Sequence, residues 1–120
     1  MDAIILFGHG ARDPEWARPL ERLREVVLAR QAGTDVRLAF LEFMRPSLAE
    51  ALEQVILAGA AHVRVVPVFL AQGGHVKRDV PEILAAVAQK FPAVKLEMTL
   101  ALGESPGVLS AMAEEILRAG

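Results

Sequence analysis

Short, mainly apolar runs alternate along the chain with segments in which apolar residues recur at helical spacing. The runs cover residues 3–7, 36–41, 63–70 and 94–100. A short apolar run that ends at glycine or a charged residue is typical of a strand buried on both faces. The pattern therefore predicts four strands, the first ended by Gly8-His9-Gly10 and the second by Glu42.

The segments that follow these strands carry apolar residues three or four positions apart, the spacing of one helix face. The predicted helices run from near Trp16 to Val27, from Pro46 to a stop at Gly59, from Asp79 to Phe91, and from Ser105 to Ile116. Pro14 and Pro19 both suit a first turn, so the start of the first helix stays open. The third helix is placed at Asp79 because Glu82, three residues later, completes a capping pattern.

The apolar positions of the helices also predict which side chains are buried. Trp16, the only tryptophan, is expected to pack the first helix against the sheet. Met98 and Met112 are expected in the core, the latter on the last helix, which also carries Leu109 and Ile116.

The order of elements, βαβαβαβα, indicates an α/β fold. Apolar strands that alternate with amphipathic helices form a parallel sheet with helices on both faces. With right-handed crossovers, the predicted sheet is a doubly wound one with strand order 2-1-3-4 in a single domain, residues 1–120. Such sheets bind ligands beyond the carboxyl ends of the strands, where the winding reverses, here between the first and third strands.

Composition narrows the class of protein. Of the 120 residues 53% are hydrophobic and 23% charged, with a net charge of −2, which argues against disorder and against a nucleic-acid footprint. Without cysteine the chain has neither disulfides nor thiolate metal ligands. The start, MDAIILFGHG, does not resemble a signal peptide, and no apolar run reaches the ~18 residues of a membrane span, so a cytoplasmic protein is expected.

Two histidines and a glutamate, residue types that commonly bind metal ions, occupy equivalent places in successive βα units. His9 follows the first strand, Glu42 the second and His75 the third, and a spacing of 33 separates each from the next. In the predicted sheet their strands are neighbours, so two imidazoles and a carboxylate converge. This set suits cobalt, iron, nickel or zinc and leaves coordination positions open.

Other interpretations of the same residues remain open. Glu42 also suits the N-terminus of the second helix. Gly8-His9-Gly10 also suits a phosphate-binding turn, although no Walker lysine follows. His62, predicted at the opposite edge of the sheet in a helix-to-strand turn, is interpreted as a surface residue and serves as a control.

Four basic residues are predicted in loops near the same edge of the sheet: Arg12, Arg45, Lys77 and Arg78. Singly they are ordinary surface residues, but together they form a positive rim that would attract a polyanion. Phe43 and Met44, beside Glu42, offer either a flat apolar surface or core packing.

Three segments resemble the short, single-domain sirohydrochlorin chelatases, which insert cobalt or ferrous iron into sirohydrochlorin on the way to cobalamin or sirohaem. They are GHGARDP at 8–14, FLEFMRPSLAEAL at 40–52 and VPVFLAQGGHVKRDVP at 66–81. The similarity covers nearly the whole chain, and the third segment is the most specific of the three.

The resemblance implies that His9 and His75 bind the metal and carry catalysis, with Glu42 as the acidic ligand. It implies Co²⁺ or Fe²⁺ as the metal substrate and sirohydrochlorin as the tetrapyrrole, whose carboxylates the basic rim would attract. Ni²⁺ stays a further candidate, because histidine and glutamate ligands do not discriminate strongly among these ions. Longer members contain two such domains around one cleft, so this chain is expected to form a homodimer. No nucleotide motif is present, so ATP-independent insertion is expected. Neither an organic cofactor nor a nucleic-acid or membrane partner is expected.

Two other functions fit parts of the pattern. A cobalt or nickel metallochaperone would use the same three ligands without a tetrapyrrole cleft. A flavodoxin-like module would instead bind a phosphate group on its glycine loops and would not need the histidines.

Overall fold

All four predicted strands form, and they pair in parallel in one sheet with the predicted order 2-1-3-4. The computed structural model describes residues 2–119, apart from the side chain of His75. The strands are β1 (Asp2–Gly8), β2 (Asp35–Phe40), β3 (His62–Pro67) and β4 (Lys95–Met98). The α-helices are α1 (Arg18–Arg30), α2 (Leu48–Leu57), α3 (Gly74–Lys90) and α4 (Pro106–Arg118). The doubly wound α/β fold is confirmed.

The two faces of the sheet are covered by different helices. Successive side chains of a strand point to opposite faces. Ile5 and Phe7 of β1 are fully buried in the same cluster as the apolar residues of α2 and α3. Leu6, between them, is buried outside that cluster, on the face where α1 places Leu20. The central strand is therefore buried on both sides, as its continuous apolar run predicts.

A capping box fixes the start of α2. The Ser47 hydroxyl accepts a hydrogen bond of 3.2 Å from the Glu50 amide, and the Glu50 carboxylate accepts one of 2.9 Å from the Ser47 amide. Pro46 therefore precedes the helix rather than opening it. Gly59, just past the last turn, has a φ of +112°, the left-handed conformation that favours glycine after a helix, so the predicted stop is confirmed.

The predicted start of α3 is wrong. The helix begins at Gly74, with Gly73 as N-cap in an extended conformation, and Pro81 lies inside it. His75, Lys77 and Arg78 are therefore residues of the first helical turns rather than of a loop. Glycine is an accepted N-cap. Pro81 offers no backbone donor to the helix, and the helix nevertheless continues to Lys90.

Two predictions of burial are also wrong. Trp16 is 69% exposed because it lies in a 3-10 turn, Pro14–Ala17, that precedes α1 and does not continue its helical face. The apolar face of α4 is exposed as well: Leu109, Met112 and Ile116 are 51%, 38% and 71% exposed. Met98, by contrast, packs against the core.

The molecule is less compact than a typical chain of its length. The radius of gyration is 14.8 Å, above the about 13.6 Å expected for a compact chain of this length. Among residues 2–119 no helix is both long and apolar enough to cross a membrane.

Candidate functional site

Backbone hydrogen bonds continue the sheet past the ends of β1 and β2 and place His9 beside Glu42. The Leu41 amide donates to the Gly8 carbonyl at 2.9 Å, and the Glu42 amide donates to the His9 carbonyl at 3.1 Å. Both residues are exposed at the carboxyl edge of the sheet. The structure thus brings these two predicted residues together, although Glu42 lies two residues beyond the end of β2.

Glu42 takes no part in the cap of α2. Ser47 supplies the cap and Glu50 completes it. The alternative interpretation of Glu42, as a residue at the N-terminus of the second helix, is therefore not supported by the geometry, and its side chain is left at the edge of the sheet.

Gly10 makes the close approach of the two loops possible. Its φ is +83°, and a Cβ atom at this position would lie 2.0 Å from the Glu42 carbonyl oxygen. An L side chain would thus be disfavoured both by its own backbone conformation and by a backbone atom that cannot rotate away. Glycine at position 10 is what lets the chain pass under Glu42 directly after His9.

The imidazole of His9 stacks on a phenylalanine that the sequence did not single out. The ring centroids of His9 and Phe69 are 4.0 Å apart, with an interplanar angle of 25°. Phe69 is buried, contacts Phe7 at a centroid distance of 5.7 Å, and its carbonyl accepts a hydrogen bond from the Gly103 amide. The only available signal was that Phe69 lies at the carboxyl end of the third apolar run, next to the predicted site.

The third predicted ligand is only partly described. The backbone of His75 lies in the first turn of α3, after β3, and its side chain is outside the described part of the structure. Among the side chains that are described, no three histidine, aspartate or glutamate residues are grouped closely enough to hold a metal ion. The set of His9, Glu42 and His75 therefore stays a prediction.

A groove of about 850 Å³ lies beside this site, between α1, β2 and the loop that leads into α2. Arg12 and Arg45 of the predicted rim line it, together with Phe43 and Met44. The Arg12 guanidinium lies over the Phe43 ring, 5.0 Å from its centroid. Phe43 and Met44 thus border the groove rather than the core.

Arg45 is committed to a surface ion pair. It pairs with Glu50, and the Glu50 carboxylate raises the pKa of Arg45. The Arg45 guanidinium and the Ser47 amide together lower the pKa of Glu50 to about 2. Because 84% of the Arg45 side chain is exposed, its guanidinium can also meet a ligand.

The other two rim residues, Lys77 and Arg78, lie elsewhere. Both are exposed in the first turns of α3 and are not among the described residues that line the groove. The structure thus brings Arg12 and Arg45 to one groove and does not place Lys77 and Arg78 there.

His62, the control histidine, lies at the amino edge of the sheet, as predicted. It pairs with Asp2 in the register of β1 and β3. Its Nε2 is 3.2 Å from Glu97 Oε1, and its Nδ1 is 3.7 Å from Asp2 Oδ1. It is the first residue of β3 rather than part of a turn, and these contacts give it a structural role.

A family model matches nearly the whole chain, and known relatives match most of it. The family model CbiX matches residues 3–119. The chain is 36% identical over 87 residues to a sirohydrochlorin cobaltochelatase of Methanococcus aeolicus, and 40% identical over 84 residues to one of Methanococcus maripaludis. These alignments take in 72% and 70% of this chain but only 61% and 58% of the relatives' lengths.

Solved structures agree with the fold. A CbiX protein of cobalamin biosynthesis from Marinobacter aquaeolei superposes with a TM-score of 0.85 at 26% identity, over 99% of this chain and 97% of that one. The sirohydrochlorin chelatase SirB from Bacillus subtilis subspecies spizizenii, solved in complex with cobalt, superposes with a TM-score of 0.81 at 26% identity, over 98% of this chain and 50% of that one. With the family model matched over residues 3–119, this chain belongs to the CbiX family.

Proposed function

We propose that this chain inserts a divalent metal ion, cobalt or ferrous iron, into sirohydrochlorin during cobalamin or sirohaem biosynthesis. The observation that carries the proposal is the 3.1 Å hydrogen bond that joins the Glu42 amide to the His9 carbonyl at the carboxyl edge of the sheet. It sets a carboxylate residue next to a histidine at the place where this fold binds ligands. The CbiX match and the names of the relatives support the same activity.

Metal insertion exchanges two pyrrole protons of the macrocycle for the ion, which must also lose its water ligands. In the proposal, His9 and His75 bind the ion and accept the protons, because neutral imidazole does both near neutral pH. Glu42 supplies a third, anionic ligand that offsets the charge of the ion. Three protein ligands leave coordination positions open for the nitrogens of the macrocycle.

The carboxylates of sirohydrochlorin need positive partners. Arg12 and Arg45 line the groove beside His9 and Glu42, so we assign them to substrate carboxylates. Lys77 and Arg78, exposed on the first turns of α3, complete the proposed rim from the side of His75. The proposal treats the chain as one chelatase-like domain that works in the cytoplasm without an organic cofactor. The near-complete coverage of the Marinobacter CbiX chain supports the single domain.

We further propose that two copies pair through α4. Leu109 and Ile116 are 51% and 71% exposed, and an apolar depression of about 510 Å³ runs along the same helix. An exposed apolar patch of this kind marks an interaction surface. A second copy suits it because the SirB chain is about twice as long as the part that this chain matches, and two copies would supply the same length.

The oligomeric state of surface variants tests the pairing. Ile116→Glu would place a charge in the proposed interface and should give a monomer in light scattering at micromolar concentration. Val26→Glu is the matched control, since Val26 is 49% exposed on α1, and it should leave the dimer intact. A monomeric parent protein, or a dimer that survives Ile116→Glu, would refute the pairing through α4.

An anaerobic spectroscopic assay tests the activity. Sirohydrochlorin is mixed with the protein and with Co²⁺, Fe²⁺ or Ni²⁺ in parallel, because histidine and carboxylate ligands suit all three ions. Insertion changes the absorbance of the macrocycle at a rate that depends on protein concentration. Tight metal binding with no change in that rate would favour the metallochaperone instead.

A further inference from the structure

Phe43 has a backbone conformation that a bulky side chain rarely adopts. Its φ is 65°, and it is the one residue other than glycine with a positive φ within residues 2–119. A phenylalanine in the left-handed region is a genuine outlier, and such outliers concentrate at functional sites.

The surrounding loop holds this conformation in place. On one side, the Glu42 amide is hydrogen-bonded to the His9 carbonyl. On the other, the Phe40 amide donates to the Pro46 carbonyl at 3.0 Å, which closes the loop. Phe43 lies between these two anchors, and 58% of it is exposed, so packing in the core does not explain its side chain.

The exposed ring borders the groove next to the proposed metal ligand Glu42. Its partner is the Arg12 guanidinium, 5.0 Å from the ring centroid, a distance typical of a cation–π contact. A guanidinium is planar and stacks on aromatic faces. The ring therefore presents one flat face to a planar group at the mouth of the site.

We propose that the Phe43 ring is the surface on which the macrocycle of the substrate stacks. Arg12 covers this face in the free protein and leaves it to bind a carboxylate of the incoming tetrapyrrole. The inference rests on the proposed function and deepens it, because it names the residue that recognises the π face of the substrate. It also accounts for the outlier, because the left-handed backbone leaves the aromatic ring of Phe43 exposed at the groove.

Binding of metal-free sirohydrochlorin, followed by its absorbance, tests the stacking. Phe43→Leu should raise the Kd roughly three- to tenfold, the range for loss of one aromatic stacking contact. Its affinity for Co²⁺ alone should stay at the parent value. Leu57→Ala is the control, since Leu57 is 77% exposed at the far end of α2, and it should match the parent in both measurements.

Phe43→Gly separates recognition from folding. Glycine adopts a positive φ freely, so this variant should lose sirohydrochlorin affinity at least as strongly as Phe43→Leu while its Tm equals or exceeds that of the parent. A fall in Tm of many degrees would show that the ring is structural and overturn the inference.

Salt dependence separates the roles of the ring and the guanidinium. Phe43→Leu should weaken binding equally at low and high salt, because stacking involves no net charge. Arg12→Gln should weaken it mainly at low salt, where the carboxylate contact is unscreened. If the parent binds sirohydrochlorin and Phe43→Leu binds it equally well, the stacking is refuted and the proposed function stands. If the parent does not bind it, both fail.

Discussion

Gly10→Ala is the change that most directly tests how the fold builds the site. Gly10 has a φ of +83°, and a left-handed L residue costs about 1–2 kcal/mol. The new Cβ would also lie 2.0 Å from the Glu42 carbonyl oxygen, so the two loops must separate. Loss of the hydrogen bond between the Glu42 amide and the His9 carbonyl would destabilise the fold by about 1 kcal/mol more. We expect the free energy of unfolding to fall by about 2–3 kcal/mol.

Gly33→Ala is the matched control. Gly33 has a φ of +92°, but nothing lies within 4 Å of its would-be Cβ. It should therefore lose only the conformational term, about 1–2 kcal/mol, or about 4–8 °C in Tm, against about 8–12 °C for Gly10→Ala. The difference between the two variants isolates the clash with Glu42.

Metal titration well below either Tm gives the functional half of the experiment. Because the separated loops move His9 away from Glu42, Gly10→Ala should weaken Co²⁺ binding by roughly ten- to hundredfold, the range for lost support of metal ligands. Gly33→Ala should bind Co²⁺ like the parent. If the two variants matched in both Tm and Co²⁺ affinity, the link between loop spacing and metal binding would be refuted.

The other predictions concern single side chains. His9→Ala and His75→Ala should each nearly abolish metal insertion with little loss of Tm. His62→Ala should insert metal at the parent rate with a slightly lower Tm. An equal loss of insertion rate in His62→Ala would mean that the site is misplaced. Glu42→Gln should lower Co²⁺ affinity without changing Tm, and unchanged affinity in the titration would remove Glu42 from the ligands. Glu50, whose pKa is lowered to about 2, stabilises the fold fully above about pH 4.5 and progressively less toward pH 2. Glu50→Gln should therefore have a lower Tm than the parent at pH 7 by a margin that shrinks between pH 4.5 and 2, and a constant margin would count against the ion pair.

The sequence predicted the sheet because its signals are local and redundant. Each strand is a short apolar run, each crossover contains one amphipathic helix, and right-handed crossovers leave few possible strand orders. Those features also placed His9 and Glu42 at one edge, since both follow adjacent strands. These predictions do not depend on any particular side-chain contact.

The errors arose where a local pattern had more than one solution. The pair Asp79 and Glu82 has the form of a cap, but Gly73 starts the helix earlier and Pro81 is accommodated within it. The spacing of apolar residues along α4 identifies an apolar face, but it does not determine what packs against that face. The positive φ of Phe43 had no signal in the sequence, because position 43 is neither glycine nor asparagine. Hydrogen bonds on either side of the loop hold this conformation instead.

The two edges of the sheet differ in a way that links assembly to chemistry. At the amino edge, polar side chains contact one another, as the His62 imidazole does with the Glu97 carboxylate. At the carboxyl edge, Leu70 and Leu100, which follow β3 and β4, are 69% and 71% exposed. The turn that leads into α4 packs there, since a Cβ on Gly103 would lie 2.1 Å from the Leu70 carbonyl oxygen. The Gly103 amide also donates to the carbonyl of Phe69, on which His9 stacks. In the proposed dimer, the interface along α4 would therefore start at the edge of the sheet that carries His9.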